Sequence, residues 1–296
     1  MTVARHHNAG DKHDMTPALT AAPHIVDVLI SERAPRLTQS AAWPVVRPLL
    51  YRVLGYDKAV AMSDAIADLS GDEALSSLSQ LLRLNVVTHG LGHLPASGRC
   101  VVVCNHPTGI ADGVALYDAI GKVRDDAIFF ANADALRVSP RLGESLIPVE
   151  WVQAKRTREK TRQTLMAAKQ AFEDERCVVL FPAGRLARVE KGQLIDEPWE
   201  TSAASLARKY AAPIVPVHMK GPTSHLFHLF DKVSRELRDV TLFHELLNKQ
   251  GRTFDITLGK PVTSDQLDVD AAVATDQLKT YIERHLATHP DAPFEA

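Results

Sequence analysis

The stretch that decides the fold reads Val101-Val102-Val103-Cys104-Asn105-His106-Pro107-Thr108-Gly109-Ile110-Ala111-Asp112-Gly113. Its first four residues are apolar without alternation, as in a central strand that is covered on both faces. Pro107 and Gly109 then allow the chain to turn. Polar side chains just past the carboxyl end of such a strand lie in the usual ligand crevice of an open α/β sheet. The stretch therefore predicts a buried strand, a turn and a functional site.

Outward from this stretch, strands and helices alternate. Strand-like runs are Val86-Val87, Cys100 to Cys104, Ile128 to Ala131, Cys177 to Phe181, Ile214 to Val217 and Phe254 to Leu258. Amphipathic helical segments lie at about 113–122, 157–174, 199–211 and 271–286. This alternation predicts an α/β fold whose mixed, largely parallel sheet is flanked by helices.

The part of the chain before Asn85 has a helical pattern and no strand-like run. Leucines recur at helical spacing from Leu75 to Leu82, and Gly71-Asp72 marks a helix start. We expect a disordered tail over 1–21, a helical N-terminal segment over 22–84 and an α/β domain over 85–296.

Composition excludes several classes of protein. The 296 residues carry 34 basic and 36 acidic side chains, so no overall positive charge favours nucleic acid. Cys100, Cys104 and Cys177 lack metal-binding spacing and lie in valine-rich runs, so we interpret them as small core residues in a reducing compartment. No signal-peptide core and no run of about twenty apolar residues is present. Any membrane contact is expected from one side only.

His106 and Asp112 are candidates for a catalytic pair. Six positions along a regular helix rotate two side chains by about 600°, which separates them, so they can meet only if a turn precedes the helix. Asp112 could then hold one imidazole nitrogen and leave the other free to take a proton. The alternative is that His106 caps a loop and Asp112 caps the next helix.

Two further blocks follow in order. Cys177-Val178-Val179-Leu180-Phe181-Pro182-Ala183-Gly184-Arg185-Leu186-Ala187-Arg188 is a buried strand that enters a Pro/Gly turn, and Pro213-Ile214-Val215-Pro216-Val217 is a proline-bounded strand. With Asn-His…Asp, Phe-Pro-x-Gly, Val-Pro-Val and a late Gly259-Lys260-Pro261, the chain resembles the glycerol-3-phosphate and lysophosphatidate acyltransferase family from about Val86 to Val262.

The resemblance implies a set of roles. His106 would deprotonate an acceptor hydroxyl that attacks the thioester of acyl-CoA or acyl carrier protein, and Asp112 would orient His106. Arg185 would bind the phosphate or other anion of a lysolipid acceptor. The other substrate-binding residues implied are Asn105, Gly109, Gly113, Arg156, Gly184 and Arg188. No cofactor or metal is implied, and the expected place of action is the cytoplasmic face of the membrane.

The chain departs from the common pattern of the family in two places. Five residues rather than four separate His106 from Asp112, a variant that resembles the bacterial branch labelled haemolysin-like or ornithine-lipid acyltransferases. Ala183 stands where the common third block has glutamate, and the arginine comes one place early. Lysophosphatidate is therefore not assumed as the acceptor.

Two surface segments have open interpretations. The basic run from Lys155 to Arg162 begins a helix, where cations oppose the helix dipole; it binds an anion such as the donor phosphates, or it is a solvated charged face. Residues 43–54 combine aromatic, aliphatic and arginine side chains without acids, which fits either a membrane anchor or a core helix.

Other chemistries have little support. The stretch from Gly143 to Ile147 lacks the second glycine of a nucleophile elbow, and the scattered histidines have no ligand spacing. Two rivals stay open: a thioesterase that uses the same pair to activate water, and a non-enzymatic acyl- or lipid-binding protein.

Overall fold

The computed structural model describes residues 22–151, 155–190, 193–289 and 291–295. The predicted disordered tail at 1–21 lies outside these residues. From residue 22 onward, five helices precede the first strand: α1 (Ile25–Arg33), α2 (Pro35–Thr38), α3 (Trp43–Leu54), α4 (Tyr56–Ile66) and α5 (Gly71–Leu82). The helix predicted to start at Gly71 does so, because Ser70 and Glu73 cap it reciprocally.

Strands and helices alternate in the remainder of the chain. They are β1 (Asn85–His89), β2 (Cys100–Cys104), α6 (Ile110–Ile120), β3 (Ala127–Asn132), α7 (Ala135–Val138), β4 (Leu146–Val149), α8 (Arg158–Glu173), β5 (Cys177–Leu180), β6 (Arg188–Glu190), β7 (Gln193–Ile195), α9 (Ser202–Lys209), β8 (Ile214–Lys220), α10 (His225–Val233), α11 (Arg235–Asp239), α12 (Leu242–Leu247), β9 (Thr253–Leu258) and α13 (Ala271–Thr280). A π-helical turn, Tyr281–Leu286, continues α13.

The large sheet has the strand order β1-β9-β8-β2-β5-β3-β4. β8, β2, β5, β3 and β4 run parallel to one another, whereas β9 is antiparallel to β8 and parallel to β1. The predicted mixed, largely parallel sheet is confirmed. β6 and β7 form a separate antiparallel hairpin beyond β5.

β2 lies at the centre of the sheet, and all five of its residues are fully buried. Its side chains alternate between two layers because successive residues of a strand point to opposite faces. Cys100, Val102 and Cys104 pack in the layer that contains α5 and α6, and Val101 and Val103 pack in the layer that contains α8, α9 and α13. This two-sided covering explains the uninterrupted apolar run, and the three cysteines are buried as predicted.

The N-terminal helices build a third, smaller cluster. Val26, Ile30, Leu50 and Leu54 pack together there, and side chains of α10 cover them. The helical prediction for this part is confirmed, whereas its separation as a domain stays a prediction. Within the described ranges, no helix has the length and apolar character needed to cross a membrane.

The sequence prediction missed the strands β4, β6 and β7 and the helices α7, α10 and α12. β4 contains Pro148 and only four residues, and its place at the sheet edge tolerates the missing backbone donor. The β6–β7 hairpin has three residues in each strand, which is too short for a periodic signal.

Candidate active site

The turn after β2 brings His106 and Asp112 together. Gly109 has a φ of +100°, a conformation that favours glycine, and α6 begins one residue later. The imidazole Nδ1 of His106 lies 2.9 Å from Oδ2 of Asp112. The predicted meeting of the two side chains through a turn is therefore present in the fold.

Asp112 is fully buried and is held by the backbone around it. Oδ2 also accepts hydrogen bonds from the backbone N–H of Thr108 (2.9 Å) and of Gly109 (3.1 Å), and Oδ1 accepts one from the Thr108 hydroxyl. The residue lies in the first turn of α6, where the helix dipole favours a negative charge. The Asp112 carboxylate can only accept hydrogen bonds, so the Nδ1 of His106 that contacts it must carry a proton. Nε2 is then the nitrogen of the neutral ring that can take up a second proton.

Neighbouring strands fix the position of the histidine loop. The side-chain amide of Asn105 exchanges two hydrogen bonds with the backbone of Met219 in β8, of 2.9 and 2.7 Å. The Phe181 ring, just after β5, stacks on the imidazole with centroids 4.4 Å apart. Asn105 thus holds the loop to β8, and the substrate contact expected of it stays a prediction. The His106 side chain keeps 16% of its surface exposed, enough to be reached from outside.

The second block lies against the same loop. Gly184 has a φ of +61°, and a Cβ there would lie 2.0 Å from Cζ3 of Trp151, so the turn admits no side chain. The backbone N–H of Ala187 donates to the carbonyl oxygen of His106 at 3.0 Å. Arg185 is exposed at this turn, whereas the Arg188 Nε lies 2.7 Å from a carboxylate oxygen of Glu197. Of the two arginines, Arg185 is the better placed to meet an anion.

Gly113 lies on α6 directly after Asp112. A Cβ added at this position would meet no atom within 4 Å. The substrate contact expected of Gly113 stays a prediction.

The basic run splits into two groups. Lys155 and Lys160 form ion pairs with Glu32 (2.9 Å) and Glu150 (2.7 Å). Five other cations line an open groove of about 600 Å³ along the outer side of α8, together with the exposed side chains of Leu165 and Met166; they are Arg156, Arg158, Arg162, Lys169 and Lys209. Arg156 also donates from Nε to the carbonyl of Glu150 at 2.9 Å. Some side chains of the run are therefore paired on the surface, as expected of a solvated charged face, whereas others line a groove in which an anion could bind.

Asp196 is a residue of this site that the sequence analysis missed. It follows β7 and is 5% exposed, and both of its carboxylate oxygens accept from the backbone N–H of His106, at 3.1 and 3.2 Å. Burial raises the pKa of its carboxyl, and the charge that His106 carries when protonated opposes that rise. Ninety residues separate Asp196 from His106, so no local pattern could have pointed to the contact.

The arrangement can do general-base chemistry. A largely buried imidazole, 16% exposed, has one nitrogen fixed by a buried carboxylate and the other free of that contact, which is the unit that activates a hydroxyl for attack.

The chain is similar to known acyltransferases. The family model described as Acyltransferase matches residues 85–220. A lyso-glycine lipid O-acyltransferase of Phocaeicola vulgatus is 27% identical over 204 residues, which are 67% of this chain and 71% of that protein. A lyso-glycine lipid O-acyltransferase of Bacteroides thetaiotaomicron is 24% identical over 249 residues, which are 82% of this chain and 89% of that protein.

A solved structure is also similar to this chain. The crystal structure of the 1-acyl-sn-glycerophosphate acyltransferase from Thermotoga maritima aligns with a TM-score of 0.47 and 15% identity, over 88% of this chain and 97% of that one. The matched domain, the two relatives and the ordered blocks together support a glycerolipid acyltransferase family and O-acyltransferase activity for this chain.

Proposed function

We propose that the protein transfers a fatty acyl group from a thioester, acyl-CoA or acyl carrier protein, to a hydroxyl of a lysolipid acceptor. The observation that carries the proposal is the 2.9 Å contact between His106 Nδ1 and a fully buried Asp112 at the carboxyl end of the central strand. This geometry supports His106 as a general base that takes the proton at Nε2.

The proposed reaction needs no covalent acyl-enzyme. Nε2 of His106 takes the proton of the acceptor hydroxyl as its oxygen attacks the thioester carbonyl. The tetrahedral intermediate collapses with cleavage of the C–S bond, and the imidazolium returns the proton to the leaving sulfur, which yields an ester and a free thiol. Asp112 stabilises the imidazolium in between. Holding both substrates together supplies much of the rate enhancement.

The acceptor is proposed to be a lysolipid whose head group carries an anion, such as the carboxylate of an amino-acid lipid. Two relatives are named as lyso-glycine lipid O-acyltransferases, which supports this class. Arg185 is exposed on the turn that contacts His106 through Ala187, and a guanidinium binds a carboxylate or phosphate with two parallel hydrogen bonds. Ala183, which replaces the glutamate of the common family block, is the sequence feature that separates this site from the lysophosphatidate pattern.

The donor's anionic carrier portion is proposed to bind the α8 groove. Arg158, Arg162 and Lys169 recur on one side of the helix and span about 16 Å at 1.5 Å per residue. Replacing Arg158 with glutamate should raise the KM for the donor and leave kcat little changed. An unchanged donor KM for both acyl-CoA and acyl carrier protein would contradict this use of the groove.

Peripheral contact with the inner face of the membrane is proposed through α3. Val45, Leu49 and Val53 follow one another at helical spacing and are 81%, 68% and 50% exposed. Arg47 and Arg52 flank this row without any acidic residue in the helix, which suits anionic head groups. The opposite side of α3 buries Leu50 and Leu54, so the helix is anchored to the fold while its apolar row faces outward.

The proposal is tested by thiol release from palmitoyl-CoA, with and without a panel that includes lyso-glycine lipid and lysophosphatidate, and by detection of the acylated lipid. Wild type is compared with His106→Ala, and with His89→Ala as the matched control, because His89 lies on the edge strand β1, which β9 and β8 separate from β2. Acceptor-dependent release that is lost only in His106→Ala is the expected result.

Other outcomes identify the rivals. His106-dependent release without any acceptor would mean a thioesterase. No His106-dependent release from palmitoyl-CoA or from palmitoyl carrier protein would refute the proposal and leave an acyl- or lipid-binding protein.

A further inference from the structure

Asp196 contacts the candidate base through the main chain rather than through the imidazole. Its two carboxylate oxygens accept from the His106 backbone N–H, and Oδ2 also accepts from the indole N–H of Trp199 at 3.1 Å. The carboxylate is nearly inaccessible to water, so these donors replace its hydration.

Residues on either side of the β6–β7 hairpin hydrogen-bond to the backbone N–H and to the backbone carbonyl of His106. Asp196 closes the β6–β7 hairpin at its C-terminal end, and Ala187 lies just before the hairpin and donates to the His106 carbonyl at 3.0 Å. Leu186 packs so closely on Gly109 that a Cβ there would lie 2.9 Å from it. Both peptide groups of His106 are therefore fixed by residues at the two ends of one hairpin.

Lys279 binds the main chain of this segment and not the Asp196 carboxylate. Lys279 of α13 donates from Nζ to the carbonyl oxygens of Asp196 (2.9 Å) and Glu197 (3.1 Å), and lies 3.8 Å from the Glu283 carboxylate. The charged groups around the Asp196 carboxylate are thus His106, Lys279 and Glu283, with the Cys104 thiol also within its field. Among the described residues, the donors to the Asp196 carboxylate are His106 and Trp199.

We propose that Asp196 is a positioning residue for acyl transfer, which fixes the His106 main chain and adds a second buried negative charge that stabilises the imidazolium. This inference rests on the proposed function. Asp112 acts on the ring through Nδ1, and Asp196 acts from the opposite, main-chain side. Two carboxylates then share the stabilisation of one positive charge in a poorly hydrated site, where such interactions are strong.

A stability measurement gives a further readout on Asp196 that does not depend on activity. Burial raises the pKa of Asp196, so its contribution to stability is complete below the ordinary carboxyl pKa and is lost as pH rises through the raised value. An asparagine is neutral at every pH. Asp196→Asn should therefore be at least as stable as wild type at neutral pH, and the two should converge below about pH 4.

The test compares wild type, Asp196→Asn and Trp199→Phe. The asparagine keeps an acceptor for the His106 N–H and removes the charge, whereas the phenylalanine loosens the anchor and keeps the charge. With Asp196→Asn, the acid limb of the kcat/KM profile should move to lower pH by about one unit, which corresponds to about tenfold weaker stabilisation of the imidazolium. Trp199→Phe should lower activity without moving that limb.

The His106 ring pKa, measured by NMR and assigned by its absence in His106→Ala, gives a readout that needs no turnover. It should fall by about one unit in Asp196→Asn. Folded Asp196→Asn with an unmoved ring pKa would overturn the inference, and lost activity without a shift would assign Asp196 a structural role only. Should Asp196→Asn not fold, Asp196→Ser, a neutral acceptor, takes its place with the same criteria. Failure of the proposed function appears separately, as wild type that has no His106-dependent transfer.

Discussion

Replacing Asp112 with asparagine removes the negative charge behind His106 and keeps the shape of the side chain. In the fold, Oδ2 accepts from the His106 Nδ1 and from two backbone N–H groups, while Oδ1 faces the Thr108 hydroxyl. An asparagine oriented with its carbonyl in the Oδ2 position keeps the first three contacts. Its amide then donates to the Thr108 hydroxyl, which turns to accept. The change therefore isolates the charge.

The expected magnitude follows from the distance. A contact of 2.9 Å between Nδ1 and Oδ2 places the two charge centres about 4 Å apart, and at an effective dielectric constant of about 20 their attraction is about 4 kcal/mol. Because about 1.4 kcal/mol corresponds to a tenfold change in rate, loss of the charge should lower kcat/KM about a thousandfold.

The assay is acceptor-dependent thiol release from palmitoyl-CoA, with circular dichroism to verify the fold. Asp118→Asn is the matched control, because it removes a carboxylate from the same helix at a position where burial raises the carboxyl pKa. The control should keep wild-type activity. A folded Asp112→Asn variant within about tenfold of wild type would refute imidazolium stabilisation by Asp112.

Three further predictions concern the same site and the outer surface. Thr108→Val leaves Oδ1 of Asp112 buried without its hydroxyl donor and should lower the free energy of unfolding by about 1–3 kcal/mol; an unchanged urea midpoint would contradict this. Gly113→Ala enters open space within a helix and should stabilise the fold by about 0.5–1 kcal/mol while it lowers kcat/KM for the acceptor, whereas Gly184→Ala should destabilise it, because its Cβ collides with an indole ring. Equal melting temperatures for these two variants would contradict the open space beside Gly113 and the close contact between Gly184 and Trp151. Leu49→Asp should weaken sedimentation with anionic vesicles and leave the melting temperature unchanged, since its side chain is 68% exposed; unaltered sedimentation would exclude α3 as the contact.

Local interactions account for the parts that could be predicted from the sequence. β2 and β5 are apolar on both faces, so their burial at the sheet centre follows from composition alone. The contact between His106 and Asp112 is formed within seven residues, and Pro107 and Gly109 supply the turn that it needs. The roles of the predicted site residues stay predictions, although the geometry of the pair is compatible with them.

Surface chemistry was only partly predictable. In the basic run, Lys155 and Lys160 pair with Glu32 and Glu150, whereas Arg156, Arg158 and Arg162 line the groove, and Arg162 also lies 3.9 Å from Glu159. The pairing of Lys155 could not be predicted, because Glu32 belongs to α1 and is distant in sequence. Residues 43–54 likewise have a buried row and an outward row, a division that depends on how α3 packs against α1, α4 and α10.

What the sequence by itself determined is the α/β class, the central strand and the meeting of His106 with Asp112, because each is encoded in neighbouring residues. What only the tertiary structure decided is the second support of His106. Asp196, Ala187 and Met219 reach the histidine loop because β2, β5 and β8 are adjacent and parallel, so their carboxyl ends meet at one edge of the sheet. That strand order is fixed by long-range packing, which leaves no periodic or local signal in the chain.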